Sequence, residues 1–204
     1  PFIQPVRCKD VKIEGVKIVN SPFWTVNPEF CENVKVKGVT IHNVPSPNTD
    51  GIDPESCRNV RITGCHIDVG DDCIAVKAGT EDAEEGIPCE NIAITGCTMV
   101  HGHGGVVLGS EMSGGIRRVS ITGCVFDGTD RGIRIKSRRG RGGTVEDVSV
   151  TGIVMNDVLC PLVINLMYFC GKDGKLPIVS DPNAQPVTEA TPHVRRIRMA
   201  DIVV

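Results

Sequence analysis

Aromatic side chains are scarce, at 3% of 204 residues with a single Trp and a single Tyr. Base-stacking platforms are thereby excluded as a theme, and any sugar ligand must be held mainly by charge and hydrogen bonds. Apolar runs long enough to span a bilayer are also missing, so no membrane segment is expected. Excess charge of either sign is lacking too: the formal net charge is −3, which argues against a general nucleic-acid binder. Only the stretch Arg131 to Arg141 is locally basic and suited to something anionic. With 40% apolar and 23% charged residues, the composition fits one domain over residues 1–204 with a full core.

What is present in excess is cysteine, ten residues in all. Their neighbours repeat. Cys8-Lys-Asp-Val-Lys-Ile-Glu-Gly-Val16 matches the segments starting at Cys31, Cys57 and Cys89, and the pattern continues without the first cysteine from Ile116, Val145 and Val194. The starts are 23, 26, 32, 27, 29 and 49 residues apart, a spacing that means a solenoid whose repeats differ by loop insertions. Inside each copy apolar and polar residues alternate up to a Gly-marked bend, as in Val60, Ile62 and Cys65 against Arg61 and Thr63. That is strand periodicity, and no copy carries a helical pattern. The fold class is therefore all-β, a right-handed parallel β-helix of about seven coils, each strand stacked about 4.8 Å from its counterpart. Cys8, Cys31, Cys57 and Cys89 form one inward column and Cys65, Cys97 and Cys124 another, read as packed free thiols rather than disulfides. Cys73, Cys160 and Cys170 show no paired spacing for structural zinc.

The same register aligns the polar motifs. Cys65 to Cys97 and Asp71 to His103 are both 32 residues, and Cys97 to Cys124 and His103 to Asp130 are both 27. His103 thus takes the Asp71 position one coil later, Asp50 lies beside Asp72, and Lys77 aligns with Lys136. In Ile133-Arg-Ile-Lys136 the isoleucines point to the core and Arg134 and Lys136 to the other face. Acids and bases so gather on consecutive coils over roughly 15 Å, the length of two or three sugar rings. Taken singly, Asn48-Thr-Asp-Gly51 is a common turn and Asp71-Asp72 a solvated bend; their coincidence on one surface is what marks a site. Crowded carboxylates are costly and are kept for proton transfer or for a cation.

Asn48-Thr-Asp-Gly51, Gly70-Asp-Asp72, Gly102-His-Gly104 and Arg134-Ile-Lys136, in that order on a β-helix, resemble the four signature motifs of glycoside hydrolase family 28, the polygalacturonases. Trp24, the Cys-Glu-Asn-Val stretches and Phe169-Cys-Gly-Lys-Asp-Gly174 look most like bacterial members. Members are longer at the N-terminus, so the chain is expected to lack opening coils and a cap. The resemblance implies Asp71 as general acid, Asp50 and Asp72 as holders of the attacking water, His103 as support for the acid, Arg134 and Lys136 as contacts of the galacturonate carboxylate, and Asn48 as a further substrate-binding residue. Two departures are Gly70 ahead of the acid pair, where many members carry a polar residue, and an extra acid, Asp53.

The residues suit that chemistry. Repulsion among Asp50, Asp71 and Asp72 is expected to keep one proton near Asp71, and a guanidinium offers a uronate a bidentate partner. Inverting hydrolysis leads us to expect at least one acid–base pair about 6.5 to 9.5 Å apart. Such hydrolysis needs no cofactor and no metal, and the partner is an acidic polysaccharide or oligogalacturonide met by a monomer. Two other readings stay open: a calcium-dependent pectate lyase, also a β-helix, and a non-catalytic β-helix that binds acidic polysaccharide.

Overall fold

A computed structural model describes residues 1–204. Its strands are β1 (Lys12–Glu14), β2 (Lys17–Val19), β3 (Glu32–Lys37), β4 (Thr40–His42), β5 (Arg58–Thr63), β6 (His66–Asp68), β7 (Asp72–Val76), β8 (Cys89–Thr95), β9 (Thr98–Val100), β10 (Gly104–Gly109), β11 (Ile116–Thr122), β12 (Val125–Asp127), β13 (Arg131–Lys136), β14 (Thr144–Asn156), β15 (Cys160–Asn165) and β16 (His193–Val203). One four-residue helix, α1 (Pro177–Ser180), interrupts the loop before β16. No helix is long and apolar enough to cross a membrane.

The strands form three parallel columns. The first runs β1-β3-β5-β8-β11-β14, with β16 on β14; the second runs β2-β4-β6-β9-β12 and ends on the C-terminal half of β14; the third is β7-β10-β13-β15. Every ladder is parallel, and the seven repeat starts fall in one sheet, as a parallel β-helix requires. Closed turns number about five rather than seven: in the first turns the third side is made by isolated bridges such as Ile3–Val26–Ile52–Ile74 and Val6–Glu29–Glu55–Lys77, and β16 is followed by no return strand.

The alternation explains the core. Val34 and Val36 pair with Val60 and Ile62, then Ile92 and Ile94, Val119 and Ile121, Val148 and Val150, all nearly inaccessible to solvent, each side chain contributing about 1.5–3 kcal/mol by burial. One continuous cluster of 38 residues fills the tube. Outside, an amide ladder ties the coils: Asn91 Nδ2 donates to Asn59, Asn59 to Asn33 and Asn33 to Asp10, at 3.0–3.1 Å.

All ten cysteines are free thiols, and Cys31, Cys57, Cys89, Cys65, Cys97 and Cys124 are buried in the two columns. Cys8, in the first coil of the structure, departs from expectation by being exposed. Burial pushes the Cys89 thiol up to about 12, which keeps it unreactive. Denaturation without reductant should therefore release all ten thiols to a thiol reagent, while the native protein reacts quickly only at Cys8 and more slowly at the half-buried Cys160 and Cys170. A titre well below this in denaturant would contradict the packed-thiol core.

Candidate active site

The site lies on the outer face of the third column. Ile52, Ile74, Val106, Ile133 and Leu162 are in register, and the first four point into the tube, so the residues beside them face out. Gly51 N–H donates to Asp72 O at 3.0 Å, which sets Asp50 against Asp72 across one coil spacing. The bend at Gly70–Asp71 interrupts strand alternation before β7 begins, and this lets Asp71 and Asp72 both reach the cleft. Asp71 is held by two backbone donors, Asn48 N–H to Oδ2 at 2.8 Å and Asp72 N–H to Oδ1 at 2.9 Å. Two motif glycines are steric necessities. A Cβ on Gly51 would strike the Cys73 carbonyl and Ile67, and one on Gly104 would strike Val107 and crowd the Asp72 carboxylate.

These elements enclose a cleft of about 240 Å³ that takes in Asn48, Asp50, Asp71, Asp72, Lys77, Glu111, Lys136, Trp24 and Tyr168. Asp50, Asp71 and Asp72 each place one oxygen within 4.8 Å of the others. The 4.8 Å limit applies to the nearest oxygen of each carboxyl group, brought together because Asp50 and Asp72 are neighbours across one coil spacing and Asp71 precedes Asp72 in the chain. An equilateral triangle of that side has its centre about 2.8 Å from each corner, hydrogen-bonding distance for one water.

The charges are unevenly covered. Asp72 is 1% exposed and receives Lys136 Nζ on Oδ2 at 2.6 Å, with Arg134 3.9 Å from Oδ1. Lys136 is thus corrected from an open substrate contact to a buried partner of Asp72, and its ammonium lies 5.1 Å from the Tyr168 ring centre, beside the Arg134 guanidinium at 5.0 Å. Asp50 is pushed up to about 8, chiefly by burial and further by Asp72 and Asp71, with Lys77 and Lys136 opposing. Asp53 is fully buried, neither of its oxygens has a hydrogen-bond partner, and burial together with Asp50 holds it well above the usual carboxylate range. Burial, invisible in the sequence, drives both Asp50 and Asp53 toward the neutral form.

A raised carboxyl pKa means that the fold favours the protonated acid. Stability from this source is full below the unfolded value of 3.8 and is lost as pH rises toward about 8. Asp50→Asn, neutral at every pH, should melt several degrees above the native chain at pH 8 and close to it at pH 4. Equal increments at both pH values would deny Asp50 its buried charge.

The remaining expected site residues are placed as follows. Asn48 is exposed at the rim and meets Asp71 through its backbone. His103 is exposed, its Nδ1 lies 2.7 Å from Asp130 Oδ2, and its contact with Asp71 is from its backbone N–H at 3.1 Å rather than from the ring. Arg134 is largely covered by Tyr168. Sequence reasoning missed Tyr168 and Glu111, and it aligned Lys77 with Lys136 without giving it a role. Lys77 is bound by Glu111 Oε2 at 3.0 Å, and Glu111 is bound in turn by Arg141 at 3.1 Å. Three carboxylates this close form a donor set suited to a cation, yet the Lys136 ammonium already occupies Asp72 Oδ2, and the six to eight oxygens calcium prefers are not assembled.

The profile of Glycosyl hydrolases family 28 matches residues 1–189. A probable polygalacturonase of Vitis vinifera is 40% identical over 192 residues, spanning 92% of this chain and 38% of that protein. An endo-polygalacturonase of Pectobacterium carotovorum subsp. carotovorum is 33% identical over 196 residues, 93% of this chain and 46% of its own length. Among solved structures, a hyperthermoactive exopolygalacturonase from Thermotoga maritima superposes with a TM-score of 0.79 and 39% identity, covering 82% of this chain and 38% of that one. The chain spans less than half the length of these relatives.

Proposed function

Because this chain belongs to the glycosyl hydrolases family 28, we propose that it hydrolyses α-1,4-galacturonosidic bonds of polygalacturonate in the cleft over β7, β10 and β13, by acid/base chemistry on Asp50, Asp71 and Asp72. The observation that carries this reading is the meeting of three carboxylate oxygens within 4.8 Å beside two cations, Arg134 and Lys136. A pure polyanion binder has no use for such acids.

In this reading Asp71, the least buried of the three, gives its proton to the leaving glycosidic oxygen. Asp72 and Asp50 hold a water between them, Asp72 accepts its proton, and the water oxygen attacks the anomeric carbon. Spacing alone would also suit a retaining pair, for which carboxyl groups lie about 5–5.5 Å apart. Lys136 on Asp72 argues against it: a carboxylate whose Oδ2 is held by an ammonium at 2.6 Å is a poorer nucleophile, while its free Oδ1 still orients water. Arg134 supplies the charge complement for a uronate carboxylate, which neutral sugars would leave unused. His103, through Asp130, braces the rim on the Asp71 side.

Incubation with polygalacturonate in the presence of chelator should release reducing ends whose first-formed anomer is inverted by proton NMR, with no ultraviolet-absorbing unsaturated product. Activity that needs calcium and yields the unsaturated sugar would replace this reading by a lyase. Binding without any product would leave a non-catalytic module.

A further inference from the structure

Lys77 is 3% exposed and lies beneath the cleft, on the opposite side of Gly109 from Lys136. Its ammonium is clamped between Glu111 Oε2 at 3.0 Å and the Trp24 ring, whose centre is 4.4 Å away. Glu111 also binds Arg141, Arg141 binds Glu81, and Glu81 binds Arg138. This buried chain holds three cations, Lys77, Arg141 and Arg138, against two anions, Glu111 and Glu81. One positive charge is left over in this network, whose Lys77 end lines the same cleft as Asp50. Asp53, in turn, has two unpartnered oxygens and no ion pair within 4.0 Å.

We propose that Lys77 is a positioning residue whose fixed charge sets the charge state of Asp50 and the buried Asp53, and so sets the pH window of the reaction. Lys77 is not a catalytic residue, because Glu111 and Trp24 keep its ammonium from the reacting atoms. It acts through the carboxylates, and the proposal rests on the hydrolytic reading of the cleft.

The groups facing it are named readily. From the turn before the third column come Asp50, Asp53 and Glu55; from β7 and its bend come Asp71 and Asp72; from the loop after β10 comes Glu111; from β13 comes Lys136. Lys77 is the largest influence lowering Asp50, and Glu111 is among those raising Asp53. Removing the cation or its partner anion therefore moves the cluster in opposite senses. Whether Asp50 must be charged or neutral in the reaction, the limb of the pH profile it governs shifts the same way as its own titration.

The test compares kcat/KM against pH on polygalacturonate for the native chain, Lys77→Met, Lys77→Arg and Glu111→Gln, each checked for its fold by circular dichroism. Lys77→Met keeps the bulk and loses the charge; its limb should rise by about one pH unit, the shift expected of an opposite charge a few ångströms away. Glu111→Gln should shift the limb down, and Lys77→Arg should stay near native. A uniform loss of activity with unmoved limbs, or shifts of one sign in both charge variants, overturns the proposal. Should Lys77→Met not fold, the downward shift in Glu111→Gln decides. Carbon-13 carboxyl NMR of Asp-labelled protein reads the same coupling without turnover: the Asp50 midpoint, near 8 in the native chain, should rise in Lys77→Met and fall in Glu111→Gln. If the native chain releases no reducing ends, the hydrolytic reading fails, while an unmoved Asp50 midpoint fails the Lys77 proposal by itself.

Discussion

Asp71→Asn is expected to lower kcat by about 10²–10⁴-fold, with KM for polygalacturonate changed only a few-fold. The substitution removes the transferable proton from the residue nearest the cleft mouth while keeping its shape. The local cost is small but real. Asp71 accepts the Asn48 N–H on one oxygen and the Asp72 N–H on the other, and an amide has only one acceptor, so one donor will face an NH2 group, at a cost of about 1 kcal/mol. Steady-state kinetics with a melting curve separates the two effects. Turnover near native in a folded Asp71→Asn would remove Asp71 from the acid role and return the cluster to the cation or scaffold readings.

Lys136→Met should act on stability first. Asp72 is nearly inaccessible, its Oδ1 has no hydrogen-bond partner, and its Oδ2 depends on Lys136. Without the ammonium, a charge stays buried with only Arg134 at 3.9 Å, and breaking a buried pair from one side costs about 3–5 kcal/mol. Denaturant titration of Lys136→Met, Asp72→Asn and the double variant checks this. The double variant should recover most of the stability lost by Lys136→Met, since no lone charge remains, yet stay inactive, since the base is gone. Costs that simply add in the double variant would show that the pair is not coupled.

Much of this arrangement was legible before any coordinates, and the reason is the solenoid itself. In a parallel coil, equal sequence offsets mean equal height: the shared offset between Cys65–Cys97 and Asp71–His103 places His103 over Asp71, and the backbone hydrogen bond from His103 to Asp71 follows. The same rule put Asp130 next to His103, so their hydrogen bond was readable though it was not read. Depth was not legible. Arg134 and Lys136 alternate outward as expected, but the segment bearing Tyr168 and Phe169 closes over them. That segment belongs to the longest insertion between repeats, whose course no periodicity dictates. Asp53 shows the same limit from the other side. Its position next to Ile52 directs it out of the tube, yet it is fully buried because Trp24, Lys77 and their neighbours roof that part of the sheet. The count of closed turns fell short for a simpler reason: a repeat motif marks the long sheet alone, and the other two sides close only where the following loop is long enough to pair.

The ladder that ties each coil only to its neighbours makes the molecule thermodynamically a short one-dimensional chain of coupled units. Such a chain frays from its ends, and the unit with partners on both sides opens last. Asp50, Asp71, Asp72, His103 and Arg134 sit on interior units, with β1 and β2 on one flank and β16 on the other. Among these coils, opening at β1 and β2 or at β16 therefore breaks fewer pairings than opening around the carboxylates, whose strands are held from both sides.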